Sequence, residues 1–119
     1  MARCYEYAME LYNKKRYEEA GNILLVLIFL NPKVSAFWVG LGFSEEMKEV
    51  YQSALLSYLM ALEVNPEDLK PALYAASMHL RLKEKEKAKF LLDQAIEQAG
   101  NDPKYAEVRT RALHMKEGI

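Results

Sequence analysis

The sequence predicts an all-α fold: a solenoid of three two-helix repeats, six helices in all, closed by a C-terminal capping helix. Three observations predict it. The dipeptide Asn-Pro stands at 31–32 and again at 65–66, an interval of 34 residues. Small residues keep the same interval, as Ala20, Ala54 and Ala88 and as Ala8, Gly42 and Ala76. Apolar residues fall three and four apart, for example Leu55, Tyr58, Leu59 and Leu62, and no sustained alternation argues for a strand.

The elements follow in order. The first repeat, about 1–34, gives helices at 2–14 and 17–30. The second, about 35–68, gives helices at 35–48 and 51–64, and the third, about 69–102, gives helices at 69–82 and 85–98. Leu24, Tyr58 and Leu92 share one register position, Leu27, Ala61 and Ala95 the next, and Ile28, Leu62 and Ile96 the one after. Gly100 replaces the proline in the third repeat. Asp102-Pro103 then reads as an N-cap and a first helical position. It starts the capping helix, about 103–116, with Tyr105, Val108, Ala112 and Met115 as its apolar stripe and Arg109, Arg111 and Lys116 on the wet side. The whole chain, 1–119, is one domain.

The small residues have a mechanical reason. Ala8, Gly42 and Ala76 lie midway along first helices; Ala20, Ala54 and Ala88 lie early in second helices. Without bulk there, the two helices of a hairpin approach closely, and Trp38, Leu41 and Tyr58 fill the space around the contact. A large side chain at Gly42 or Ala54 should overpack it, at about 1–3 kcal/mol.

Composition narrows the function. With 51% hydrophobic residues the chain can build a core without a metal or disulfide. Cys4 is the one cysteine, which points to a reducing compartment; its register position predicts packing. The net charge of −1 gives no positive field for nucleic acid or an anionic membrane. An enzyme lacks parts. His79 and His114 lie in separate helices without the partners of a metal site, so no cofactor is expected. "GLG" at 40–42 sits inside a helix, not at a strand-to-helix turn. The run "RLKEKEKAK", 81–89, mixes signs and reads as a solvated helix start.

The stretch "ILLVLIFL", 23–30, is too short to span a bilayer, which takes about 20 residues. On the second helix, Leu24, Leu27 and Ile28 belong to the repeat core. Leu25, Val26 and Phe29 then point to the outer side. The matching residues are Leu59, Met60 and Glu63 in the second repeat and Asp93, Gln94 and Glu97 in the third. This outer face is apolar in the first repeat, mixed in the second and polar in the third. Neighbouring helices of the same chain, a preceding segment or a second copy would have to cover it.

The residues Trp38-x-x-Leu41-Gly42, Ala54, Tyr58, Ala61 and Pro66 resemble the tetratricopeptide repeat. The first repeat keeps Ala8, Tyr17, Ala20 and Pro32 but has Cys4 at the tryptophan position, and the third has Ala72 there and Lys85 for the tyrosine. Over nearly the whole chain, "FWVGLG" (37–42), "YQSALLSYLMAL" (51–62), "ALYAA" (72–76) and "PKYAEVRTRALHM" (103–115) resemble the class II chaperones of bacterial type III secretion. The resemblance implies a chaperone in the bacterial cytoplasm that holds hydrophobic translocator proteins soluble before secretion. It also implies dimerisation through the first-repeat region, with Val26 and Leu30 in the contact; together with Phe29 on the same outer face, these predict a homodimer centred on Val26, Phe29 and Leu30.

Recognition is therefore the expected activity. In such solenoids the first helix of each repeat lines the concave surface. Spacing of three or four places Tyr5, Met9 and Tyr12 there in the first repeat. Val39, Phe43 and Glu46 follow in the second, beside Met47, and Leu73, Ser77 and Leu80 in the third. Apolar anchors on a face that should be wet suit an extended peptide, although Tyr5 and Tyr12 could instead pack within their hairpin. The resemblance implies that Tyr5, Met9, Tyr12 and Tyr17 stand where the family carries groove aromatics, and that the groove takes a proline-and-leucine segment of a translocator. An adaptor that clamps a terminal carboxylate needs lysine, arginine and asparagine at positions held here by Tyr5, Met9, Phe43, Leu73 and Ser77. A scaffold using the same groove remains the alternative.

Overall fold

The computed structural model describes residues 2–119. It contains α1 (Ala2–Asn13), α2 (Tyr17–Leu30), α3 (Ser35–Met47), α4 (Tyr51–Val64), α5 (Lys70–Arg81), α6 (Lys85–Ala99) and α7 (Ala106–Glu117). Each helix packs on the next in chain order, and α1 touches α3 as α5 touches α7. That is the contact pattern of a tetratricopeptide solenoid, so the all-α expectation holds. No helix among the described residues is long and apolar enough to cross a membrane. One boundary differs by more than one residue. Pro103–Tyr105 form a 3-10 turn, and the α-helix begins only at Ala106. Asp102 does cap this start, its side chain accepting from the Lys104 amide at 3.1 Å.

The hairpin turns repeat as faithfully as the helices. Lys15, Glu49 and Lys83, spaced at the repeat interval, have φ of 65°, 64° and 64°. Each turn carries the same pair of bonds. In the first, the Lys15 amide donates to the Tyr12 carbonyl and the Arg16 amide to the Leu11 carbonyl; Glu49 and Val50, then Lys83 and Glu84, repeat them. This is the Schellman closure, which satisfies last-turn carbonyls and needs a left-handed residue. None of the three is glycine, so sequence alone gives no signal for it. The turns between repeats share an Asx bond: Asn31 and Asp68 accept from the amides of Lys33 and Lys70, both at 3.2 Å.

The small positions are all buried: Ala8, Ala20, Ala54, Ala76, Ala88 and Gly42. Against α3, Gly40 lets Leu24 and Met9 approach to 3.2 Å from where a Cβ would stand. Trp38 is half-buried and packs on the cluster of Ala8, Leu24, Phe37 and Leu41; its indole N–H donates to the Pro32 carbonyl at 2.7 Å and pins the first inter-repeat turn. Val108 and Ala112 of α7 join Leu69, Leu73, Ala88 and Leu92 in one cluster, with Tyr105 and Met115 packed on its edge. The Tyr105 hydroxyl also donates to the Glu67 carbonyl at 2.6 Å, tying the cap to the previous turn. On the polar side Lys116 pairs with Asp93 at 2.6 Å, whereas Arg109 is half-buried with its Nε out of solvent.

Cys4 corrects an expectation. It is exposed, not packed, at the slot that α1 forms with Ile23, Val26 and Leu30 of α2.

Candidate functional site: the concave groove and the outer face of α2

Tyr12, Phe43 and Tyr74 of α1, α3 and α5, with Tyr17 of α2 and Tyr58 of α4, form a continuous band of aromatic rings. Tyr17 meets Tyr12 edge-on at 5.3 Å, and Tyr12 lies 6.3 Å from Phe43. Phe43 is the hub: it stands 5.9 Å from Tyr58 and 5.3 Å from Tyr74, which are themselves 5.3 Å apart. Edge and tilted contacts of this kind add stability beyond area alone. Tyr58 is wholly buried, and its hydroxyl donates to Glu46 Oε1 at 2.7 Å. Burial first, and then that carboxylate, push the Tyr58 hydroxyl far above the ordinary tyrosine range. Burial also raises Tyr12, helped by the charges of Tyr17 and Glu46.

Beside this band opens a cavity of about 240 Å3 lined by Tyr5, Ala36, Val39, Phe43 and Tyr74, with Ser35, Asp68 and Lys70 as its polar lining. It sits where the first turns of α3 and α5 face α1. One lysine and one aspartate at the rim leave no net charge to clamp a terminal carboxylate.

The expected groove residues separate into three groups. Tyr5, Val39 and Phe43 line the cavity, and Tyr12 and Tyr17 extend the aromatic band. Tyr5 packs on the core that α1 and α2 share with α3 and lies 5.7 Å from Phe37; Tyr12 touches Tyr17 of its own hairpin and Phe43 of the next repeat. Met9 and Ser77 are half-buried, but neither lines the cavity; Met9 turns toward Gly40. Leu73 is a correction. It is 1% exposed and belongs to the core that α6 and α7 complete. Its register position faces the next first helix in every repeat, and after the third repeat that neighbour is the cap. Tyr74, one residue on, takes the groove place. The stripe Leu69, Leu73, Ala76, Leu80, at core spacing, was the available signal.

The second surface is the outer side of α2. Val26, Phe29 and Leu30 are 59%, 86% and 63% exposed, and Leu25 lies beside them. Helices of the same chain therefore do not cover this face. Next to Phe29, an apolar slot of about 350 Å3 opens between α1 and α2, lined by Cys4, Ile23, Val26, Leu27 and Leu30.

No family model matches the chain. The Low calcium response locus protein H of Yersinia pseudotuberculosis serotype I (strain IP32953) is 27% identical over 119 residues, all of this chain and 71% of that protein. Among solved structures, a chain of the CopN–Scc3 complex superposes with a TM-score of 0.91 at 30% identity, covering 97% of this chain and 68% of that one. The type III secretion translocator chaperone SycD of Yersinia enterocolitica superposes at 0.89 with 28% identity, covering 99% of this chain and 88% of SycD. The chain belongs to the class II chaperones of type III secretion. SycD has also been solved with a peptide of the translocator YopD, and in an alternative dimer. The chaperone shares their helical repeats over essentially its whole length.

Proposed function

We propose that this chaperone binds an extended, apolar segment of a type III secretion translocator in its concave groove. It thereby keeps the client soluble in the bacterial cytoplasm until secretion. The observation that carries this reading is the aromatic band Tyr17, Tyr12, Phe43 and Tyr74 running beside the Tyr5–Val39 cavity on a face open to a partner. Rigid rings supply large contact area at little entropic cost. The SycD complex with a YopD peptide supports the same class of client. Tyr5, Met9, Tyr12, Tyr17, Val39, Phe43 and Tyr74 are the proposed binding residues, and Ser77 is a peripheral one. The action is masking; no bond is made or broken. The exposed strip on α2 supports a homodimer with Val26, Phe29 and Leu30 at its centre.

Co-expression with a hydrophobic translocator tests the function. The client should become soluble and co-purify with the chaperone. A client that stays insoluble beside abundant folded chaperone overturns the proposal.

A further inference from the structure

Glu46 is the chemical exception in the groove. α3 carries Val39, Phe43 and Glu46 on one face, so the carboxylate stands one turn beyond the cavity wall. It is half-buried, one turn from Phe43, whose ring meets Tyr12 and Tyr58. Tyr58 donates to one of its oxygens. Among the described residues no lysine, arginine or histidine is within ion-pair distance of it. Its neighbour Glu45, by contrast, is turned to Ser57 on α4 at 2.7 Å.

In the empty groove, water can solvate the open side of this carboxylate. A client segment lying over the band displaces that water. The charge then needs a new partner, because a half-dried carboxylate with one hydrogen bond is poorly compensated. An apolar client residue supplies none, and an acidic one adds repulsion. We infer that Glu46 makes the groove selective for a client segment bearing a lysine or arginine near its apolar anchor. The inference rests on the peptide-binding reading of the groove. The spacing follows from geometry. Seven residues of helix separate Val39 from Glu46, about 10 Å at a rise of 1.5 Å. An extended chain covers that in about three residues.

Synthetic peptides test it. All carry one shared proline-and-leucine anchor, and lysine, methionine or glutamate is moved through each flanking position. They are titrated by calorimetry onto the full chain, its Glu46→Gln variant and an exposed control, Glu49→Gln. At one position, about three residues from the anchor, the lysine peptide should bind the parent about 10-fold tighter than the methionine peptide, with glutamate weakest. Glu46→Gln should reduce that preference to about 2-fold or less, and Glu49→Gln should keep it. Equal binding of lysine and methionine at every position, or a preference that survives Glu46→Gln, overturns the inference and leaves the groove reading intact. If no peptide binds the parent, both fall.

Discussion

A Cβ on Gly42 would lie 2.4 Å from Cε1 of Tyr58. The ring cannot step aside: it is wholly buried, wedged against Phe43 and Tyr74, and held at its hydroxyl by Glu46. Glycine costs a helix interior about 1 kcal/mol relative to alanine, so Gly42→Ala on an exposed helix would stabilise. Here overpacking wins. Gly42→Ala should lower unfolding stability by about 1–3 kcal/mol, read as a fall in the urea midpoint.

Core and groove separate by mutation. Leu73→Ala should cost about 2–5 kcal/mol in unfolding stability, because it opens a cavity between α5, α6 and α7. Tyr5→Ala and Tyr12→Ala should keep the domain folded and weaken client peptide binding. Unchanged calorimetric affinity in both would remove the groove assignment.

The strip on α2 predicts an oligomer. Sedimentation of the parent should show a dimer, and Val26→Glu or Leu30→Glu should give a monomer with unchanged helicity. A monomeric parent, or a dimeric charge variant, would refute the interface.

The three left-handed turn residues hold unused stability. Glu49 has φ of 64° without being glycine. Relieving its Cβ is worth about 1–2 kcal/mol, less the entropy glycine loses on folding. Glu49→Gly should therefore raise the urea midpoint, by up to about 1 kcal/mol of stability. A lower midpoint would show the turn is unstrained.

Glu84 predicts an acid limb. Its carboxyl is held below the usual glutamate range, first by the hydrogen bond with His79 at 3.0 Å and then by Lys87. A depressed folded value means the group contributes stability above its unfolded pKa. That contribution is lost as pH falls through the folded value. Urea midpoints measured from neutral pH downward should fall less steeply for Glu84→Gln than for the parent. Identical slopes would exclude the clasp.

Much of this molecule is legible in one strand of sequence. The interval between the Asn-Pro pairs, the alanines and the apolar spacing dictate six helical segments, because repeated local chemistry must bury the same face each time, and Asp102-Pro103 marks the seventh. The outer apolar face of α2 was legible for the same reason: the repeat core could not use Val26 or Phe29. What the linear pattern did not hold was the company each position keeps. Tyr5 and Leu73 share one register position, yet one lines a cavity and the other lies in the core, because α3 stands beside Tyr5 and the capping helix α7 beside Leu73. Lys15, Glu49 and Lys83 adopt left-handed geometry that no glycine announces; helix packing on either side imposes it. Only the tertiary structure placed Tyr74 beside the cavity and left Glu46 near aromatic rings with no cation paired to it among the described residues. Sequence set the period and the faces of the helices; three-dimensional neighbours decided which faces meet and which stay open.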